Sequence, residues 1–181
     1  MSFNKFHVKT ATKDTDLVAL AALVNSAYRG ETSKLGWTSE CDLVGGQRVD
    51  PESLLDIINA ENSLVIILES KETGSLIGCC HIEKSKEDNS HAYLGMVSVS
   101  PTLQNQGIGK ALLIIAEKYS KRWGCDALEI YVINVRKELI DFYKRHGFVP
   151  TGGTAPFPYG DERVGLPKLD NLVFDIFTKP I

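Results

Sequence analysis

The sequence predicts an α/β fold of the α+β kind, one domain over residues 1–181 with a mixed sheet flanked by helices. Stretches of three-and-four apolar spacing alternate with short β-branched runs of period two, and the joints between them carry Gly, Pro, Asn or Asp. Composition agrees: 181 residues at 43% apolar, 8% aromatic and 24% charged have globular proportions. A chain of that length buries roughly 70% of its unfolded surface.

Phe6 to Lys9 reads as a first short strand. Leu17, Leu20, Ala21, Val24 and Tyr28 make one face of a helix that Thr12 or Asp14 would cap and Arg29-Gly30 would end. The segment from Gly30 to Asp50, with Gly36, Trp37, Gly45 and Gly46, is too irregular for one long helix, although Ser39 is a candidate cap for a short one. Asp50 as cap and Pro51 at the first helical position open a second helix through Leu54, Leu55, Ile57 and Ile58. Ser63 to Leu68 and Ser75 to Glu83 form a hairpin about Glu72-Thr73-Gly74, and after a polar loop from Lys84 to Ser90, Tyr93 to Val99 is a strand stopped by Pro101. A long helix follows with Leu112, Ile115, Ala116, Tyr119 and Trp123 on one face and Gly124 at its end. Ala127 to Ile133 is a strand, Arg136 to His146 a helix closed by Gly147, and Phe148-Val149 the start of another strand. Beyond a Gly/Pro-rich stretch from Thr151 to Pro167, Leu172 to Thr178 alternates as the last strand. No repeat or linker interrupts this order.

Twenty basic against 23 acidic residues leave a formal charge of −3, which provides no broad field for a phosphate backbone, so a nucleic-acid partner is not expected. Met1 to His7 lacks the apolar core of a leader, and no apolar run approaches the ~20 residues that span a bilayer. The expectation is a cytoplasmic protein without a membrane partner. Cys41, Cys79, Cys80 and Cys125 have no disulfide-framework spacing. Cys79-Cys80-His81 is contiguous, so its side chains alternate between faces of a strand, and no metal is expected.

The segment richest in chemistry runs from Val97 through Pro101 to Ala111: a strand, then Gln104-Asn105-Gln106-Gly107-Ile108-Gly109-Lys110, then an amphipathic helix. Unpaired N–H groups and the positive end of the helix dipole converge there, and glycine at 107 and 109 lets an anion reach the backbone. A nucleoside-triphosphate loop is excluded because position 104 is Gln and Ala111 follows Lys110. A dinucleotide fingerprint fails at Leu112, where the third glycine would stand.

Gln-x-x-Gly-x-Gly followed by Lys-Ala, preceded by Val-x-Val-x-Pro and followed by Phe142-Tyr143-Lys144-Arg145-His146-Gly147-Phe148, resembles the GNAT superfamily of acetyl-coenzyme A dependent N-acetyltransferases. The resemblance covers most of the chain. It implies a mostly antiparallel sheet of six to seven strands with about four helices and a splayed strand pair that holds the coenzyme. Backbone amides from Gln104 to Ala111, including Asn105, Gln106, Ile108 and Lys110, would then take the pyrophosphate, and Val97, Ser98 and Val99 would line the pantetheine arm.

By the same resemblance Tyr143 would hydrogen-bond the coenzyme sulfur and protonate the thiolate, a transfer uphill by only ~2 kcal/mol between reference pKa values of about 10 and 8.5. The family often has Asn seven residues earlier, where this chain has Arg136; Asn134 is the nearest asparagine and is carried as the candidate contact. The family also often has a Glu base near the position of Tyr93. An alkyl ammonium costs roughly 4.6 kcal/mol to deprotonate at pH 7, so Glu83 is named as candidate base, with Glu40 or a water chain as alternatives. For either carboxylate a solvated surface position is the ordinary expectation.

The implied acceptor pocket lies between Tyr28–Arg48 and Thr151–Lys168, with Tyr28, Trp37, Glu40, Arg48, Phe157 and Tyr159 as lining candidates. Aromatics with a few charges suit a small amphipathic amine, whereas Arg29 and Arg48 would suit a carboxylate-bearing one. The function implied is acetyl transfer from acetyl coenzyme A to the primary amine of a small molecule within a ternary complex, without a metal. A protein or peptide N-acetyltransferase, a longer-chain acyltransferase, and a silent coenzyme-binding sensor are the alternatives; a homodimer stays open.

Overall fold

In chain order the computed structural model contains β1 (Phe6–Thr10), α1 (Leu17–Tyr28), α2 (Gly30–Ser33), β2 (Val44–Gly45), α3 (Pro51–Asn59), β3 (Ser63–Ser70), β4 (Leu76–Lys84), β5 (His91–Val99), α4 (Ile108–Arg122), β6 (Ala127–Ile133), α5 (Lys137–Arg145), β7 (Val149–Pro156), β8 (Leu166–Pro167) and β9 (Val173–Pro180). It describes residues 5–86 and 89–181; the leader reading at Met1 to Asn4 and the Glu87-Asp88 part of the polar loop lie outside the described residues.

Seven strands form the main sheet in the order β1-β3-β4-β5-β6-β9-β7, antiparallel except for β5 beside β6, and β2 pairs with β8 apart from it. The sheet is the middle of three layers. Leu20, Val24, Ala27 and Leu54 of α1 and α3 bury one face of it against Val65, Ile67 and Cys79. Leu112, Leu113 and Ala116 of α4 and Tyr143 of α5 bury the other against Ile66, Cys80, Ile82 and Ile130. Adjacent Cys79 and Cys80 therefore lie in different cores, as strand alternation requires. Among the described residues no helix is long and apolar enough to cross a membrane.

Local chemistry explains most boundaries. Asp50 accepts from the Ser53 amide at 2.7 Å with Pro51 behind it, as the sequence indicates. The cap of α1 is Asp16, which accepts from Ala19 at 3.0 Å, rather than Thr12 or Asp14. Thr12 instead closes a separate turn to Thr15, so the helix begins later. Ser39 caps no helix; its hydroxyl meets Ser33 Oγ at 2.6 Å, and the short helix lies upstream at α2. β7 extends through Pro156, into the Gly/Pro-rich stretch that begins at Thr151, because a bulge between Pro150 and Thr154 absorbs the glycines and returns the strand to register with β9.

His81 is buried, with Nε2 2.9 Å from Ser63 Oγ, and burial aided by the Arg48 charge pushes its imidazole down to about 4. The unfolded chain titrates near 6.5, so it takes up the proton first as the pH falls. Stability contributed by neutral His81 is complete above pH 6.5 and is lost on acidification toward 4. In denaturant titrations from pH 7 to 4.5, the parent chain should lose about 2–3 kcal/mol more than a His81→Gln variant; equal losses would refute this.

Candidate active site

The site begins with a strained residue. Met96 in β5 sits at φ 53, in the left-handed region, and the β4–β5 register slips between Cys79 and His81. β5 pairs with β6 only over His91, Ala92 and Tyr93, and beyond them the two strands part. Into the gap point the carbonyls of Val97 and Val99, which accept from Tyr28 Oη at 2.6 Å and Gln104 Nε2 at 3.3 Å. A strand residue's N–H lies on the same side as its C=O, so the Val97 and Val99 amides also face the gap. Ser98 turns the other way, and its hydroxyl donates to the Met96 carbonyl at 3.1 Å.

At the end of β5 the glycine turn holds Asn105 at φ 62 and Gly107 at φ 82. Two left-handed residues flanking Gln106 turn successive amides toward one side. Gly107 caps α4 without any side-chain bond, and the first intrahelical bond runs from the Ala111 N–H to the Gly107 carbonyl at 3.0 Å. Among the described residues the amides of Ile108, Gly109 and Lys110 therefore have no acceptor. Gly109 and Lys110, with Gly107 before them, border a cavity of about 510 Å³ that runs past Val99 and Val97 to Phe142 and Tyr143. The side chains of Gln106, Ile108 and Ala111 face another depression beyond the turn, beside Lys5 and Lys71.

Gln104 acts through its side chain. Its Oε1 accepts from the Trp37 amide at 2.8 Å and its Nε2 donates to Thr38 Oγ1 at 2.8 Å, tying the irregular loop to the turn. A Cβ at Gly36 would stand 2.5 Å from that amide group, so glycine is what lets the loop approach. Trp37 consequently lies in the large cavity, 5.4 Å from the Phe142 ring, and not with the other acceptor candidates. Tyr143 is 6% exposed, edge-on to Phe142 and Phe148, and its phenol makes no hydrogen bond among the described residues. Burial raises its pKa well above 10, so the phenol keeps its proton at neutral pH.

Across Val97, Leu139 and Tyr143, which line both spaces, lies a second cavity of about 240 Å³. Tyr28, Arg29, Glu40, Arg48, Tyr93 and Phe157 contribute to its walls. Glu40 is not the solvated carboxylate expected of its loop. It is 7% exposed, with Oε2 2.6 Å from Arg29 Nη1 and Oε1 3.0 Å from Arg136 Nη1. Arg136 also donates to the Thr38 carbonyl at 3.2 Å, so the arginine that stands seven residues before Tyr143 fastens this loop to α5.

The remaining candidates are dispersed. Tyr93 folds over Gly95, where a Cβ would collide with its ring, and meets His81 and Tyr131 edge-on at 6.0 and 5.5 Å. Glu83 is its cross-strand partner but lines a separate depression with His91 and Glu129. Asn134 enters neither cavity: its N–H donates to the Val173 carbonyl at 2.9 Å and its Oδ1 accepts from the Val173 amide at 3.4 Å. Tyr159 is half-exposed and bonds the Leu169 carbonyl and Leu172 amide, while its neighbour Phe157 reaches the cavity. Sequence reasoning did not foresee the Arg29–Glu40–Arg136 group or the wall made by Leu139. Glu40 and Arg136 are 96 residues apart, and no local pattern announces their pairing.

The profile of the acetyltransferase (GNAT) family matches residues 33–148. Mycothiol acetyltransferase of Propionibacterium freudenreichii is 24% identical over 75% of this chain, which spans 41% of that relative's length. Among solved structures, the ribosomal-protein-S18-alanine N-acetyltransferase of Escherichia coli superposes with a TM-score of 0.67 at 18% identity, covering 97% of this chain and 94% of that one. A candidate streptothricin acetyltransferase of Bacillus anthracis, in complex with acetyl coenzyme A, has a TM-score of 0.57 at 21% identity over 70% of this chain and 66% of that one.

Proposed function

The chain belongs to the acetyltransferase (GNAT) family, and from that premise we propose that it transfers acetyl from acetyl coenzyme A directly to the primary amine of a small molecule, with both bound at once. The observation that carries this reading is the shared wall: Val97, Leu139 and Tyr143 separate a long cavity that ends on free amides from a small aromatic one. The residues present fit the coenzyme. Unbonded amides from Ile108 to Lys110, with no Cβ at Gly107, suit the pyrophosphate, and the outward amides of Val97 and Val99 suit the pantetheine arm. At about 240 Å³ the second cavity lies below the usual ~300–1,000 Å³ of ligand pockets, which favours a small acceptor.

Bound acetyl coenzyme A supplies a thioester open to attack by a neutral amine. The Val97 amide is positioned to polarise the carbonyl, and the Tyr143 phenol to donate to the sulfur as charge develops on it. Both Glu40 oxygens are engaged by arginines and Glu83 lies outside the acceptor cavity, so water carries off the amine proton. No acyl-enzyme forms.

An assay of thiol release over a panel of small amines and peptides tests the proposal. Small amines should be used, with intersecting initial-rate lines; acetylated enzyme accumulating at the turnover rate would overturn direct transfer. Coenzyme binding without release for any acceptor would instead identify a silent binding module. Gly107→Asp puts a side chain at left-handed φ and an anion at the helix N-terminus, and should weaken coenzyme A binding about 30-fold or more by calorimetry. Undiminished affinity would mean that the pyrophosphate binds elsewhere.

A further inference from the structure

Among the described residues the wall of the small cavity carries more positive than negative charge: Arg29 and Arg48 stand there against the one carboxylate of Glu40. Arg29 and Arg136 are 6% and 5% exposed and share the one carboxylate of Glu40, so the buried group holds two cations and one anion. Arg29 Nε and Arg136 Nη2 are buried without any hydrogen-bond partner. Arg48, half-buried in the wall of the same cavity, makes no ion pair or side-chain hydrogen bond among the described residues. Its charge is felt by the phenols of Tyr28 and Tyr93 and by His81.

Neither of the neighbouring carboxylates, Asp50 and Glu83, lines the small cavity. Asp50 caps α3 and bonds Gln47, and Glu83 opens onto the separate depression beside Tyr93. Arg48 is also held in place: Asn25 Oδ1 accepts from the Arg48 and Val49 amides at 2.6 and 3.3 Å, and Asn25 Nδ2 donates to the Val49 carbonyl at 2.8 Å. Buried cations in excess are costly unless an anion joins them. Much of the remaining wall is apolar or aromatic, including Ile130, Phe157 and Phe174.

We propose that the acceptor is an amino carboxylate with an apolar side chain, its carboxylate held by Arg48 at the arginine end and its amine directed to the Val97–Tyr143 wall. This rests on the transfer reading above and narrows it. A lone alkyl ammonium meets like charge here, whereas a zwitterion brings its own counter-charge. The same guanidinium groups favour the uncharged amine that attack requires, in a site where Glu40 is held by two arginines and Glu83 lies outside the cavity. A peptide N-terminus offers an amide where the carboxylate belongs and should be a poor substitute.

The test compares the free L-amino acids with their carboxamides and with the matching amines that lack the carboxyl group. Binding is measured by calorimetry with coenzyme A present, and turnover by thiol release from acetyl coenzyme A. For an apolar L-amino acid, kcat/KM should exceed that of its amide and its amine roughly 100-fold. Arg48→Gln should reduce that preference to about tenfold or less, through KM, with coenzyme affinity unchanged. Amides or simple amines used as well as the acids, or a preference untouched by Arg48→Gln, would overturn the carboxylate site while leaving acetyl transfer intact. Acids that bind through Arg48 without thiol release would uphold the carboxylate site and overturn the transfer. Absence of both binding and release would remove both.

Discussion

Replacing Tyr143 by Phe is expected to lower kcat about 100-fold or more, the scale of a lost general acid, with little change in coenzyme A affinity. The substitution removes one oxygen and keeps the ring that packs between Phe142 and Phe148. That oxygen has no protein partner among the described residues, and Tyr143 lines both cavities, so folding loses no hydrogen bond. Thermal stability should be unchanged. The raised pKa means that the proton is present throughout the physiological range and is given up only as the sulfur becomes basic. A thioester whose thiol is a much stronger acid than coenzyme A needs less help in leaving, so the deficit should shrink with such a donor. A kcat within about threefold of the parent would instead make Tyr143 a packing residue.

Glu40→Gln should cost about 3–5 kcal/mol of stability, the range for breaking a buried ion pair from one side. The amide keeps the shape but leaves two guanidinium groups, both more than nine-tenths buried, without an anion. In a chain of this length each kcal/mol moves Tm by roughly 2–4 °C, so a fall of roughly 6–20 °C is expected by calorimetry. Adding Arg136→Met removes one unpaired cation, and the double variant should recover part of the loss. A shift below about 2 °C would mean that the pairs are incidental to folding. The same change loosens the loop from Thr38 to Glu40 that Arg136 fastens, so KM for the acceptor should rise with it.

Elements that depend on neighbours in sequence were legible. The three-and-four spacing that ends at Trp123 found α4, Asp50-Pro51 found the start of α3, and Ala127 to Ile133 found β6 to the residue. β7 was only half legible, because Gly152 and Gly153 erase the period of two and its continuation is imposed by pairing with β9. The glycine turn was legible for a similar reason: strand, glycines and helix follow one another along the chain.

The chain alone therefore determined the order of the main-sheet strands and the longer helices, the free amides at the head of α4, and a helix bearing Tyr143, but not α2, β2 or β8. These follow from backbone conformations and from periodicities that span a few residues. Tertiary structure decided the rest. Met96 at φ 53 has no signature in an ordinary side chain, yet it lies at the slip in the β4–β5 register, beyond the last β5–β6 pair at Tyr93. Glu40 looked like any loop carboxylate until folding brought Arg29 and Arg136 to its two oxygens. Charge balance in a buried space depends on which distant segments share it, and segments that far apart along the chain leave no local pattern to read.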